Sequence, residues 1–240
     1  MGRKSAKIAV KKNAADQRRG QIFTKALHDV ATAVKSGGGD VETNFLLKIA
    51  MERCKKFNVP KDNIDRAISK GLGGDGAGHD DVTYEGYGPG GVAIYVETST
   101  NNITRTVANI RNYFNKNGGS LGKDGSLQFI FDRKAVFSIP KTDDLFEDDF
   151  TLEMIDAGAE DIELEENMFE VIGPMEAFGN IQNKLQELGF TPEEAGLQRI
   201  PTTFKKVEDE ATMEQIEKLI ELIQDDEDVV TVYHNIEAEE

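Results

Sequence analysis

The 240-residue chain has one cysteine, six prolines, three histidines, no tryptophan and fewer basic than acidic side chains. The single cysteine, Cys54, excludes an internal disulfide framework and suits a reducing compartment. It reads as a small buried residue on a helix. No apolar run approaches the ~18 residues of a transmembrane helix. The charged N-terminus lacks an apolar segment of about 7–15 residues behind it, which predicts no secretory signal peptide. The histidines, His28, His79 and His234, lie far apart and have no metal-ligand spacing. No G-x-S-x-G elbow occurs. With 44 acidic residues, any two could be nominated as acid and base, so no pair is informative. The residues therefore mark no nucleophile, and no cofactor, metal or small-molecule substrate is expected.

The net charge of −16 is an average over two unlike parts. Residues 1–72 carry 16 Lys and Arg against 7 Asp and Glu, whereas residues 73–240 carry 12 against 37. The head is thus +9 and the remainder −25. A division of this size predicts separate modules with separate partners. The basic head can approach phosphate, which repels the acidic body.

Residues 1–14 hold Arg3, Lys4, Lys7, Lys11 and Lys12 with no acid. From Asp16 to Lys35, Ile22, Phe23, Ala26, Leu27, Val30, Ala33 and Val34 recur at helical spacing. Gly37, Gly38 and Gly39 end that helix. A second helix is expected from about Thr43 to Phe57, and a third from a first-turn Pro60 to Gly71. Residues 1–72 read as a basic three-helix domain. Residues 73–81, rich in Gly and Asp, read as a linker. His79 in this run is taken as solvated rather than metal-binding.

Beyond the linker, Val92–Val96 is expected as a strand. A helix follows that carries Ile103, Val107, Ile110 and Phe114, with Asn101 or Asn102 as its cap. Leu127–Phe131 reads as a further strand. Residues 135–202 then give a βαββαβ series, a split βαβ of the ferredoxin-like kind. A C-terminal helix with Met213, Ile216, Leu219, Ile220 and Ile223, and a strand Val229–Tyr233, are expected to complete the sheet begun at Val92. The expected class is α+β: the helical module plus two α+β domains. The second comprises 82–134 and 203–240, with the third, 135–202, inserted in it.

Two glycine-rich segments resemble phosphate-binding loops and fail the test. Gly86-Tyr87-Gly88-Pro89-Gly90-Gly91 matches G-x-G-x-x-G, but a strand follows where a helix is required, and Pro89 removes an amide. It reads as a rigid turn between modules. Gly118-Gly119-Ser120-Leu121-Gly122-Lys123 lacks the first P-loop glycine and has Asp124 where Ser or Thr is needed. It reads as a helix-to-strand connection, with backbone contact to a partner as the alternative. From Asp143 to Glu166 the chain holds twelve acids and no base. That run reads as a solvated acidic face, the alternative being a face that repels nucleic acid or docks a basic protein.

The strongest functional signal is the cluster Arg3, Lys4, Lys7, Lys11, Lys12, Arg18, Arg19 and Lys25, opposed only by Asp16. Charges this dense repel one another unless a polyanion neutralises them. No aromatic residue precedes Phe23, so phosphate contact is expected rather than base stacking. Arg53, Lys55, Lys56, Lys61, Arg66 and Lys70 form a second set.

Several segments carry a resemblance to a known family. They are Arg19–Lys25, Gly37–Asp40, Asn58–Ile68, Tyr84–Ala93, Asn102–Val107 and Gly118–Gly122. In that order they resemble the YebC family of bacterial and organellar proteins, closely up to about residue 133 and more loosely beyond. The resemblance implies three domains with the last inserted in the middle one, a non-enzymatic role and, in bacteria, a cytoplasmic location. It further implies a DNA-binding transcriptional regulator or, as the alternative, a ribosome-associated translation factor that binds ribosomal RNA. Nucleic acid is the partner expected on either reading, and no membrane is.

Overall fold

The computed structural model describes residues 22–73, 80–142, 146–165 and 167–237. Three helices come first: α1 (22–37), α2 (Phe45–Lys56) and α3 (Lys61–Gly71). Ala26, Val30, Leu47, Ala50, Cys54 and Ile64 form their shared core. Burial holds the Cys54 thiol up at about 11, so it stays protonated. Asn44 joins two helices. Its carbonyl accepts from the Leu47 amide at 3.1 Å, and its amide donates to the Ala33 and Gly38 carbonyls, both at 2.8 Å. It caps α2 and satisfies carbonyls at the end of α1. Pro60 is the N-cap of α3, one position earlier than the sequence suggests.

A first sheet follows, built from β1 (Asp80–Tyr87), β2 (Ala93–Thr100), the two-residue β3 (Ser120–Leu121) and β8 (Val229–His234), in the order β3-β1-β2-β8. All its pairings are antiparallel. Helices α4 (Ile103–Lys116) and α7 (Glu210–Gln224) cover one face, where Ile94, Val96, Ile110, Phe114, Ile216, Leu219 and Ile223 are buried. Asn102 caps α4, accepting from the Arg105 amide at 3.0 Å. The other face carries Ala93 and Tyr95 against Leu127 and Phe131.

The second sheet contains β4 (Phe131–Pro140), β5 (Asp161–Glu165), β6 (Met168–Pro174) and β7 (Glu194–Pro201) in the order β5-β6-β4-β7. With α5 (Glu147–Asp156) and α6 (Phe178–Glu187) it makes the βαββαβ unit. Its core includes Phe137, Ile139, Phe150, Met154, Phe169, Ile181 and Leu185. The unit lies in sequence between β3 and α7 of the first sheet. The α+β class and the helical module are as expected from the sequence.

Three local expectations are corrected. Residues 124–130 are turn, and the strand starts only at Phe131. Buried Glu85 explains this: it accepts from the amides of Gly125 (3.0 Å) and Leu127 (2.6 Å) and from the Ser126 hydroxyl (3.3 Å), folding the segment back. Asp80 and Asp81 are strand residues, not linker. The Gly86–Gly91 segment turns β1 into β2 inside one sheet, so it does not separate modules.

Candidate nucleic-acid interface

The cations of the helical module divide by what faces them. Arg53, near the end of α2, is only 17% exposed and ion-pairs with Asp29 of α1 at 3.1 Å and Glu194 of β7 at 2.9 Å. Lys56 reaches Glu193, just before β7, at 2.6 Å. These two basic residues tie the module to the inserted unit. Lys55 and Lys61 are exposed. Arg66 is exposed and bends back to the Asp62 carbonyl (3.2 Å) and the Asn63 side chain (3.2 Å). Lys25 is half-buried on α1. Arg3, Lys4, Lys7, Lys11, Lys12, Arg18 and Arg19 lie outside the described residues.

Lys48 was not singled out from the sequence. It is exposed on α2, seven residues before Lys55 and so on the same face, with Glu52 between them. The exposed face of α3 alternates Lys61, Asp62, Asp65, Arg66 and Lys70. Residues 22–72 carry a net +3, against +6 for residues 1–21. The excess positive charge of the head therefore belongs mainly to its first 21 residues.

Lys70 and Arg66 line a groove of about 400 Å³ between the helical module and the end of the first sheet. Leu27, Ala31, Ala67 and Val230 give it an apolar lining, and Glu227 and Asp228 stand opposite the cations. Asp81 lies 3.9 Å from His28 and 3.8 Å from Lys35. Burial lowers the His28 pKa, and Asp81 only partly opposes this, so the imidazole is neutral at pH 7. Burial likewise lowers the Lys70 pKa. The groove is thus of mixed sign.

Asp228 is a further residue that sequence reasoning passed over. It accepts from Arg105 Nη2 at 2.8 and 2.9 Å and from the Thr106 hydroxyl at 2.7 Å. Burial pushes its carboxyl up, but the bonds from Arg105, Thr106 and Thr100 outweigh this and hold it below the usual carboxylate range. The neighbouring Asp226 accepts from Tyr113 (3.0 Å) and Asn109 (3.1 Å). The signal was the acidic run 225–228 after α7, where a helix dipole disfavours negative charge. Such a run needs donors from elsewhere, and Arg105, Thr106, Asn109 and Tyr113 along α4 supply them.

The two glycine-rich segments meet each other. Gly86 pairs with Leu121 and Tyr87 with Ser120. A Cβ on Gly86 would sit 2.6 Å from the Phe114 ring, and one on Gly119 would sit 2.6 Å from the Tyr87 carbonyl. Their lack of side chains thus serves close packing of a hairpin against the α4–β3 connection. Among the described residues, no three His, Cys, Asp or Glu side chains converge on a possible metal site. No described helix is long and apolar enough to cross a membrane.

Comparison with family models matches residues 3–74 to the TACO1/YebC protein N-terminal domain and residues 79–236 to the TACO1/YebC second and third domain. A probable transcriptional regulatory protein of Porphyromonas gingivalis is 48% identical over 220 residues, 92% of this chain and 90% of that protein. The probable transcriptional regulatory protein YrbC of Bacillus subtilis is 42% identical over 230 residues, 95% of each. Among solved structures, a conserved hypothetical protein from Aquifex aeolicus superposes with a TM-score of 0.78. It is 34% identical and covers 93% of this chain and 92% of its own.

Proposed function

The chain belongs to the TACO1/YebC family, and from that premise we propose that it is a non-enzymatic, cytoplasmic regulator of transcription that binds DNA. The contacts are made to phosphate by the N-terminal module. Eight cations, Arg3, Lys4, Lys7, Lys11, Lys12, Arg18, Arg19 and Lys25, supply most of the affinity. Lys55, Lys61 and Arg66 add to it from the exposed faces of α2 and α3. Arg53, Lys56 and Lys70 contribute less, because carboxylates of this chain already face them. The units of this reading are 1–72 for the basic domain, 82–134 with 203–240 for the middle one and 135–202 for the inserted one.

One observation carries the proposal: positive charge is concentrated in a head of +9 attached to a body of −25. Only the head can lie against a polyanion without repulsion. The relatives from Porphyromonas gingivalis and Bacillus subtilis are named probable transcriptional regulatory proteins, which agrees with DNA as that polyanion. Among the described residues, the exposed face of α3 mixes Lys61 and Arg66 with Asp62 and Asp65, so binding is expected to rest on phosphate contacts and to be largely indifferent to sequence. Fluorescence anisotropy with two duplexes of unrelated sequence tests this. At low salt both should bind with similar affinity, and a ribosomal RNA hairpin should bind no more tightly. Absence of binding to either duplex would overturn the proposal. A marked preference for the RNA would transfer the function to the ribosome.

A further inference from the structure

The inserted unit carries an open apolar cleft beside α5. It occupies about 360 Å³ between α5 and the connection from α6 to β7. Phe146, Leu152 and Leu188 line its mouth. Phe146 is 75% and Leu152 62% exposed, and Ile155 is exposed one turn further along α5. Phe150 and Phe190 lie deeper, packed edge to face with ring centroids 5.5 Å apart. Single exposed apolar residues are ordinary, but a continuous group around a preformed cleft marks an interaction surface.

The polar surround is predominantly acidic. Residues 147–165 hold nine acids and no base. Asp149 and Glu153 line the cleft itself. Lys184 is paired with Glu153 at 3.0 Å and Glu187 at 3.4 Å, and Lys141 with Glu147. Asp148, Asp149 and Asp156 have no cation within ion-pair distance among the described residues and are exposed. The helix dipole accounts for acids in the first turn of α5 but not for Asp156 in its last turn.

We propose that this cleft docks a basic amphipathic helix of a partner protein. Apolar side chains at i, i+3, i+4 and i+7 would enter beside Phe146 and Leu152, and flanking Lys and Arg would meet Asp148, Asp149 and Asp156. The occupant is a helix because no strand residue lines the cleft, so an extended peptide would find no ladder to join. It is not nucleic acid, which this rim repels. The cleft shares no lining residue with the basic head, so a helix bound here and a polyanion bound there would use different side chains.

The test uses the full-length chain and three labelled synthetic peptides of about four helical turns. The first has Leu at the four anchor positions and Lys or Arg between them. The second has the same composition scrambled, and the third has Glu in place of the cations. The first should bind at least tenfold more tightly than the second, and the third should not bind. Phe146→Ser and Leu152→Ser are changes of exposed side chains. Each should weaken the first peptide about tenfold while leaving circular dichroism and DNA binding unchanged and without lowering Tm, since Ser at position 146 can cap α5. Equal binding of ordered and scrambled peptides would reduce the effect to bulk charge and overturn the proposal. So would full affinity in both serine variants. Concentration-dependent dimers by sedimentation, abolished by Leu152→Ser, would instead assign the cleft to a second copy of this chain.

Discussion

Asp29 is held in an unfavourable state by its own fold. Burial against α2 raises its carboxyl to about 6, and the nearby Arg53 only partly opposes this. A raised folded-state value means that the folded chain holds the proton more tightly than the unfolded one. This group's contribution is therefore fully present below about pH 4 and is lost as pH rises towards 6. Asp29→Asn should flatten that part of the profile. In urea titrations, the stability of the variant relative to the parent should increase between pH 4 and 6. A difference of two pKa units corresponds to about 3 kcal/mol in a dry site. The side chain is 34% exposed, so solvent screens part of that value and a smaller gain is expected. A constant difference across this range would contradict the assignment. Asp228 shows the opposite sign. Its carboxyl is held low, so its stabilisation is present above about pH 4 and lost as pH falls through the folded-state value. Asp228→Asn should cost about 1.5–3 kcal/mol at pH 7, the worth of charge-assisted hydrogen bonds, and progressively less in acid. Equal cost at pH 7 and pH 3 would refute this.

At the scale of elements, the glycine turns are the points where small changes have large consequences. Gly86→Ala would place a methyl group 2.6 Å from the buried Phe114 ring and 2.8 Å from the Ser120 carbonyl. Backbone cannot yield there as a flexible side chain would. Overpacking of this kind costs about 1–3 kcal/mol, which at roughly 2–4 °C per kcal/mol for a chain of this size lowers Tm by several degrees. A thermal scan checks this, and an unchanged Tm would mean that the β1–β3 contact is looser than its geometry. Helices were legible because their apolar residues recur at three and four. Strand β6 of the second sheet was legible because it alternates, and β4 because Ala135–Ile139 form a short apolar run. Strand β1 was not, since Asp80, Asp81, Thr83 and Glu85 make it polar, and Glu85 is buried only because distant turn amides receive it. Strand β3, two residues long, has no period to detect.

Over the whole molecule, charge segregation was fully legible, but the use made of each cation was not. Arg53 and Lys56 looked like two of several lysines and arginines closing a helix. Their partners, Glu194 and Glu193, lie about 140 residues away in sequence and come into reach only when β7 packs beside α2. Lys55, between them, is turned outwards. Sequence reasoning thus found the basic head and could not separate residues that hold it against the inserted unit from residues left exposed.

The most direct measurement is the salt dependence of duplex DNA affinity for the parent chain and two charge-reversal variants. One variant reverses Arg3, Lys4, Lys7 and Lys11 to Glu, and the other reverses only Lys55 and Lys61. Each phosphate contact contributes about 0.9 to the slope of log K against log salt. The four-residue variant should therefore lose roughly three to four units of slope, and the two-residue variant about one or two. A slope unchanged in both, with binding retained, would contradict the account, because the affinity would then come from somewhere other than the basic head.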